Sequence, residues 1–212
     1  MLFPTICVDN FLDDPHKLIE FSKKCNYTND GYVFGERTDS LNNINNEMFL
    51  WINRKLLSIL YPYNYTSMNF RSFTCFQKSY PSEADGWVHV DTPNLITSIL
   101  YLTEEGTAGT SLYKGEEKNY YLDQSKKFEY FKNKSPEHYE EVLKAKNKNN
   151  KLFTKTLHFD GLFNRLIMFD SSNPHASEVL KKNKKRLILI SFFEEINQNM
   201  KYPIPTHKTL ND

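Results

Sequence analysis

The sequence predicts a mainly β (α+β) fold: a double-stranded β-helix, or jelly roll, with supporting helices at its N-terminus. Two helical patterns occupy the first third of the 212 residues. From residue 67 onward the apolar residues instead alternate with a period of two, which is typical of strands. Many short strands separated by turn residues then continue to about residue 194, a pattern that favours a sandwich or barrel. For a chain of this length the jelly roll is the natural form.

The chain begins with an expected strand at residues 1–8 and a first helix. Asp14 can cap this helix, with Pro15 at its first position. The apolar residues on one face of the helix are Leu18, Phe21 and Cys25.

A second helix is expected at residues 44–60, and Pro62 ends it because proline cannot continue a helix. Its apolar stripe consists of Met48, Trp51, Ile52, Leu56, Ile59 and Leu60. We expect the stripe to pack on a sheet rather than to form a partner or cofactor surface.

The strands begin with a segment that has usable residues on both faces. On one face it carries Met68, Phe70, Ser72, Thr74 and Phe76. Further strands are expected at residues 86–90, 95–103, 110–113, 152–159, 165–169 and 186–194. Turn residues such as Thr92-Pro93-Asn94 separate them.

We expect one domain over residues 1–212. Its parts are the N-terminal strand and helices (1–66), a jelly-roll core (67–194) with an insertion at 115–151, and a tail (195–212). Within the insertion, Ser135, Pro136 and Glu137 resemble the start of a helix of about ten residues. A solvated insertion between strands is the simpler interpretation of this segment, and a substrate lid or binding loop is the functional one.

The composition excludes several classes of protein. The chain has 27 basic and 26 acidic residues and a formal charge of +1, so its net charge does not attract nucleic acid or anionic lipid. No apolar run approaches the ~20 residues that span a bilayer, and the N-terminus lacks the pattern of a secretion signal. Three cysteines without a CxxC pair disfavour a disulfide framework or a thiolate zinc site. We therefore expect a cytoplasmic globular protein.

The candidate metal ligands are two histidines and an aspartate. His89 and Asp91 are two residues apart on an expected strand, so their side chains point to the same face. Together they form two-thirds of the 2-His-1-carboxylate triad, which binds non-haem Fe(II) and leaves coordination positions open. The third ligand would come from another strand, and His175, shortly after the apolar segment 166–169, is the best candidate. A single His-x-Asp triplet is weak evidence by itself, so the pair alone leaves the metal site open.

A second triplet, His158-Phe159-Asp160, shows how easily the pattern arises by chance. Gly161 follows it at once, and only His175 lies downstream in a strand context. We interpret this triplet as the end of a strand that enters a turn.

Arg186 opens an aliphatic strand in a chain that uses lysine for nearly all its positive charge. The planar guanidinium favours a carboxylate partner bound by two parallel hydrogen bonds. The alternative is a charge at the end of a hairpin, after a lysine run at 181–185 that is typical of a solvated turn.

Three blocks of the sequence together resemble the 2-oxoglutarate- and Fe(II)-dependent dioxygenases, particularly their prolyl-hydroxylase-like branch. The blocks are residues 79–94, which include Tyr80-Pro81, Gly86-Trp87, His89-Val90-Asp91 and Pro93-Asn94; residues 98–103 followed by 109–113; and Asn173-Pro174-His175 through Arg186. Order and spacing agree over residues 67–194 except for the insertion.

The resemblance implies an oxidoreductase that uses Fe(II), O2 and 2-oxoglutarate as cosubstrate to hydroxylate a C–H bond. His89, Asp91 and His175 would be the iron ligands at the catalytic centre. Arg186 would pair with the distal carboxylate of 2-oxoglutarate, and Tyr101 would donate a hydrogen bond to it. Tyr80 would reach the cosubstrate from the preceding strand. Simple packing is the alternative role of both tyrosines.

Two positions depart from the prolyl-hydroxylase branch. Ile190 stands where that branch has a hydroxyl residue, and Trp87 where it has tyrosine, so the substrate stays open: a prolyl or other residue of a protein or peptide, or a small molecule. Two other functions compete with the hydroxylase. One is a jelly roll that binds metal or ligand without catalysis, and the other is a nucleic-acid demethylase of the same superfamily, which the balanced charge disfavours.

Overall fold

The computed structural model describes residues 3–29, 35–63, 65–80, 86–119, 136–180 and 185–197. Most of the expected tail, part of the insertion, the motif residues 81–85 and most of the lysine run at 181–185 lie outside these ranges. The strands are β1 (Ile6–Val8), β2 (Glu36–Arg37), β3 (Asn69–Ser79), β4 (Ile96–Tyr101), β5 (Thr107–Gly115), β6 (Phe153–Gly161), β7 (Leu166–Asp170), β8 (His175–Ser177) and β9 (Arg186–Asn197). The helices are α1 (His16–Lys23), α2 (Leu41–Ile44), α3 (Asn46–Leu60) and α4 (Pro136–Asn150).

The strands form two antiparallel sheets, which confirms the expected jelly roll. The larger sheet has the order β1-β7-β4-β9-β3-β2, and the smaller has the order β6-β5-β8. Neighbours in both sheets run antiparallel. The sheets pack face to face, because Leu112 of β5 shares a buried cluster with Ile99 and Ile190 of the larger sheet.

Side chains of the larger sheet alternate between its two faces and so belong to two different apolar clusters. Its outward residues, such as Phe76 and Leu100, form a cluster with Ile52 and Leu56 of α3. Residues one position away, such as Cys75, face inward toward the smaller sheet. The helices therefore cover the outer face, and the inner face is available for a site.

The N-terminal helices differ in detail from the expectation. No side chain caps α1, so the predicted capping by Asp14 is wrong, and Cys25 lies beyond the last residue of this helix. The second expected helix is confirmed but begins at Asn46 rather than at residue 44, because Asn45 is its N-cap and accepts a hydrogen bond from the Met48 amide at 2.9 Å. The α3 stripe does pack on the sheet, but Trp51 at its margin is 48% exposed.

The segment expected as a strand at 86–90 is not one. Only an isolated bridge joins His89 to His175 there. By contrast, β2 and β8 were not expected from the sequence, because each has only two or three residues and no apolar alternation. Within the ranges described, no helix combines the length and the apolar character needed to cross a membrane.

Candidate active site

Two histidines and an aspartate meet at one end of the space between the sheets. The Nε2 atom of His89 lies 3.4 Å from Asp91 Oδ1, and the Nε2 atom of His175 lies 3.2 Å from Asp91 Oδ2. The three ligand atoms all lie within 4.8 Å of one another. The structure thus brings together the three side chains that the sequence singled out as metal ligands.

The two histidines are direct neighbours through their backbones. The His89 amide donates to the His175 carbonyl at 3.0 Å, and the His175 amide donates to the His89 carbonyl at 2.8 Å. Such a reciprocal pair holds two Cα atoms about 5.5 Å apart, and the two ring centroids are 4.4 Å apart. Strand β8 is therefore the element that fixes the third ligand beside the first.

The other ring nitrogen of each histidine contacts a backbone carbonyl. His89 Nδ1 lies 2.8 Å from the Trp87 oxygen, and His175 Nδ1 lies 3.0 Å from the Asn173 oxygen. Because a carbonyl only accepts hydrogen bonds, each Nδ1 carries a proton, which leaves Nε2 as the ring nitrogen that can bind a metal ion. Metal-binding histidines are oriented in this way in other proteins.

Asp91 is fixed by hydroxyl groups behind it. The Thr97 hydroxyl donates to Asp91 Oδ2 at 2.8 Å and lies 2.9 Å from the Ser171 hydroxyl, while the Asp91 amide donates to the Ser171 carbonyl at 2.8 Å. Burial by itself would raise the pKa of Asp91, but the charges and hydrogen bonds of His175 and His89 hold it well below its ordinary value. Asp91 is therefore ionised and can serve as a metal ligand.

This donor set fits a divalent metal ion. Two imidazole nitrogens and one carboxylate are the ligands of the mononuclear Fe(II) triad. The cluster contains no thiolate among the described residues, which argues against a structural zinc site, and the inward-facing Cys75 packs in the apolar cluster instead.

Arg186 lies deeper on the inner face of the larger sheet and is 7% exposed. Its Nη2 donates to the Ser79 hydroxyl at 3.3 Å, and its buried Nε has no hydrogen-bond partner among the described residues. Burial lowers the pKa of Arg186, and the nearby Tyr101 opposes this effect. A buried cation is costly unless an anion accompanies it, so this end of the site fits a ligand carboxylate.

Tyr101 is fully buried beside Arg186. Its hydroxyl donates to Thr110 Oγ1 at 2.8 Å. Burial raises the pKa of Tyr101 to about 12, against the opposing effects of Arg186 and of the hydrogen bond with Thr110. The tyrosine therefore stays protonated and can donate its hydrogen bond near the arginine.

Tyr80 lies in a different environment from Tyr101. It is 37% exposed, and its hydroxyl donates to Glu36 Oε2 at 2.7 Å. These contacts give its predicted cosubstrate role no support. The residue that contacts Arg186 is Ser79, which sequence reasoning missed, although its alternation with Cys75 and Gln77 on β3 was a usable signal.

The second His-x-Asp triplet lies on the outer face of the smaller sheet. His158 and Asp160 are exposed near the end of β6, with His158 Nε2 3.0 Å from Asp160 Oδ1. The other ring nitrogen lies 3.0 Å from the Ser111 hydroxyl. In the described ranges, the cluster around Asp91 is the only group of three such side chains whose ligand atoms meet.

Two asparagines at the end of α4 hold the chain before His89, and sequence reasoning missed them. The Val88 amide donates to Asn150 Oδ1 at 2.9 Å, and Asn149 Nδ2 donates to the Val88 carbonyl at 2.9 Å. Asn150 Nδ2 also donates to the Gly86 carbonyl at 3.0 Å. The end of the expected insertion is therefore part of the frame of the site.

Comparison with solved structures shows the same fold in a protein that has 2-oxoglutarate bound and in two prolyl hydroxylases. HygX from Streptomyces hygroscopicus, with nickel and 2-oxoglutarate bound, has a TM-score of 0.55 at 7% identity, covering 89% of this chain and 82% of that one. A prolyl hydroxylase from Trichoplax adhaerens, in complex with a hypoxia inducible factor peptide, scores 0.52 at 13% identity, with 89% and 82% covered. A Pseudomonas putida prolyl-4-hydroxylase scores 0.51 at 13% identity, with 90% and 92% covered.

At the level of sequence, one family profile matches the chain. It is described as a family of unknown function, DUF6445, and it matches residues 3–186. No curated protein matches the sequence.

Proposed function

The chain belongs to the DUF6445 family, and we propose that it is an Fe(II)- and 2-oxoglutarate-dependent oxygenase. One observation carries the proposal: a buried guanidinium without a carboxylate partner among the described residues faces the same space between the two sheets as the His-Asp-His cluster. The shared fold with oxygenases supports it at the level of architecture.

His89, Asp91 and His175 would hold Fe(II) by their Nε2 and carboxylate atoms. Arg186 would pair with the distal carboxylate of 2-oxoglutarate, with the Tyr101 and Ser79 hydroxyls beside it. The two positive charges of Fe(II) would oppose one negative charge on Asp91 and two on 2-oxoglutarate, and Arg186 would offset the remaining one. Tyr80 is left out of this assignment because, unlike the buried Tyr101, it is exposed and its hydroxyl donates to Glu36 of the edge strand β2.

Bound Fe(II) would supply the reaction with O2, in which 2-oxoglutarate yields succinate and CO2 and a substrate C–H becomes C–OH. The protein's own contribution is to place the reactants and exclude water. Ile99, Ile188 and Ile190 form an apolar wall on the inner face. Ile190 and the buried Trp87 replace polar residues of the prolyl-hydroxylase branch, so a peptide residue other than proline and a small molecule are both compatible with this wall.

The test is anaerobic binding followed by turnover. Fe(II) with 2-oxoglutarate should give a weak visible charge-transfer band, and admission of O2 should yield succinate. His175→Ala and Asp91→Ala should abolish both signals. His158→Ala is the matched control, because it removes the histidine of the other triplet, and it should leave both signals intact.

The outcomes separate the competing functions. Full turnover by either ligand variant would overturn the assignment of the metal site. A charge-transfer band without succinate, even with added peptides and small acids, would instead favour a jelly roll that binds its ligands without catalysis.

A further inference from the structure

Arg37 is a second arginine on the inner face of the larger sheet. It lies on the edge strand β2, opposite Gln77 of β3, and the amide and carbonyl of Arg37 also exchange hydrogen bonds with Thr28 at 2.9 and 2.8 Å. Gln77 faces inward because it is two residues from Cys75, which belongs to the inner cluster. The backbone of Arg37 is therefore held on both sides, and its side chain extends over the interior of the jelly roll.

The guanidinium of Arg37 is partly engaged. Its Nε donates to Gln77 Oε1 at 2.8 Å, and its central carbon lies 5.6 Å from the ring centroid of Phe192. Among the described residues, no carboxylate forms an ion pair with it, and its two Nη groups have no hydrogen-bond partner. The exposed Arg71, by contrast, contacts both Glu194 and Glu195. The two Nη groups of Arg37 are thus available to bind a ligand.

The position of Phe192 relates Arg37 to the metal site. Phe192 packs against the inner cluster and is the cross-strand neighbour of Thr97. Thr97 donates the hydrogen bond that holds Asp91. Adjacent strands are about 4.8 Å apart. Phe192, which lies under the guanidinium of Arg37, is therefore one strand away from Thr97, the residue that holds Asp91.

A chain of side chains also connects the two inward arginines. Gln77 accepts from Arg37 and donates to the Ser79 hydroxyl at 3.3 Å, and Ser79 accepts from Arg186 at 3.3 Å. Arg186 is buried, whereas Arg37 is half-buried at the sheet edge. One cation therefore lies in the closed part of the site and the other at its open side.

We propose that Arg37 binds a carboxylate of the primary substrate; this rests on the proposed function. With Fe(II), Asp91, 2-oxoglutarate and Arg186 in place, the charges of the inner site sum to zero. Arg37 adds a positive charge, and its open fork matches a carboxylate in bidentate geometry. Phe192 beneath the guanidinium and Phe73, its cross-strand partner on β3, are both partly buried and offer apolar contact for the body of the substrate.

The test measures binding of acids against their matched amides by calorimetry. The protein is loaded with Mn(II) and 2-oxoglutarate without O2, and it is also titrated without either. One set of probes is N-acetyl amino acids and their N-acetyl amino acid amides. The other is end-blocked peptides with a central Asp or Glu, and the same peptides with Asn or Gln. The first set represents a small-molecule acid, and the second an acidic protein segment.

In one of the two sets, wild-type protein should bind acids at least about tenfold more tightly than amides. Arg37→Gln should abolish this preference, and Arg37→Lys should retain part of it because the charge remains. Arg54→Gln, at an exposed position of α3, is the matched control and should behave as wild type. The affinity for 2-oxoglutarate, measured in the same proteins, should stay unchanged and reports that each variant is folded.

Three outcomes would overturn the proposal. Wild type could show no preference for acids in either set, or Arg37→Gln could keep the preference. Arg37→Gln could also lose its affinity for 2-oxoglutarate, which would place Arg37 in the cosubstrate site instead. Failure of wild type to bind 2-oxoglutarate at all would be a different result, since it would remove the proposed function itself.

Discussion

The two ends of the candidate site are built in different ways. The arginine end consists of Ser79, Tyr101 and Arg186, which lie on β3, β4 and β9. These strands of the larger sheet pair without a register shift over the part that carries the arginine end. Their positions are therefore set by the register of a regular sheet, in which Ser79 lies opposite Arg186.

The histidine end consists of His89, Asp91 and His175. Of these only His175 lies in a strand, and that strand has three residues. His89 is held by its backbone bridge to His175 and by Asn150, which fixes the preceding residue Val88. Asp91 is held by the hydroxyl of Thr97. The histidine end therefore depends on individual contacts, whereas the arginine end depends on the register of the sheet.

The largest effect is expected from Arg186→Met, which changes only the arginine end of the site. Affinity for 2-oxoglutarate should fall about 100-fold or more, since the partner of its carboxylate is lost. The ligand-free protein should become more stable by about 1 kcal/mol, because a buried cation without a carboxylate partner among the described residues is replaced by an apolar chain. Calorimetry and urea unfolding measure the two quantities.

Arg71→Met serves as the control for that variant, since Arg71 is 63% exposed and contacts glutamates. If the two ends are independent, Mn(II) affinity in Arg186→Met should stay within about twofold of wild type. A large loss of Mn(II) affinity would show that the two ends are coupled and are not held independently of each other.

A smaller effect is expected from Thr97→Val, where the two ends meet. Thr97 lies on β4 of the larger sheet but donates to Asp91. Loss of that hydroxyl should weaken Mn(II) binding about tenfold, as for other residues that orient a metal ligand. Thr97→Ser keeps the hydroxyl and should recover most of the affinity. Equal losses in both variants would mean that packing, rather than the hydrogen bond, holds Asp91.

Asn150→Ala should act on the histidine end from farther away. The asparagine holds Val88 and Gly86, so its loss should loosen the segment before His89 and weaken Mn(II) binding about fivefold. Asn147→Ala removes an exposed asparagine of the same helix and is the control. Direct titration of Mn(II) by its electron paramagnetic resonance signal measures both. If the two variants bind Mn(II) equally well, α4 does not help to position the metal ligands.

The sequence predicts the strands of the arginine end better than it predicts the contacts between distant parts of the chain around the site. Alternation along β3 and β9 follows from local pattern, and so does the inward position of Arg186 on a strand of aliphatic residues. The close pair His89 and Asp91 is also local. These features need only a few neighbouring residues, so a single sequence carries them.

The remainder depends on contacts between distant parts of the chain. Arg37 meets Gln77 across 40 residues, and Asn150 meets Val88 across 62. Neither pair has a periodic signal, since β2 has two residues and the asparagines end a polar helix. The position of Tyr80 shows the same limit, because its hydroxyl is drawn to Glu36 on that short edge strand.

The smallest effect is expected from Glu178→Gln, just after β8. Burial raises the pKa of Glu178, but hydrogen bonds from Lys155 and Ser111 outweigh it and lower the pKa below 4.5. A carboxyl group whose pKa is lower in the folded state stabilises the fold above its unfolded pKa and loses that effect as the pH falls through the folded one. Wild type should therefore exceed the variant by about 1 kcal/mol or less at neutral pH.

That difference should shrink as the pH falls below 4.5, and urea unfolding at several pH values measures it. Since Glu178 also follows the strand that carries His175, the Mn(II) affinity of the variant at neutral pH is the second readout. If individual contacts hold the histidine end, this affinity should fall slightly together with the stability. A loss of stability without any change in metal affinity would mean that β8 is fixed by its pairing with β5 alone, and that the histidine end depends on the sheet as the arginine end does.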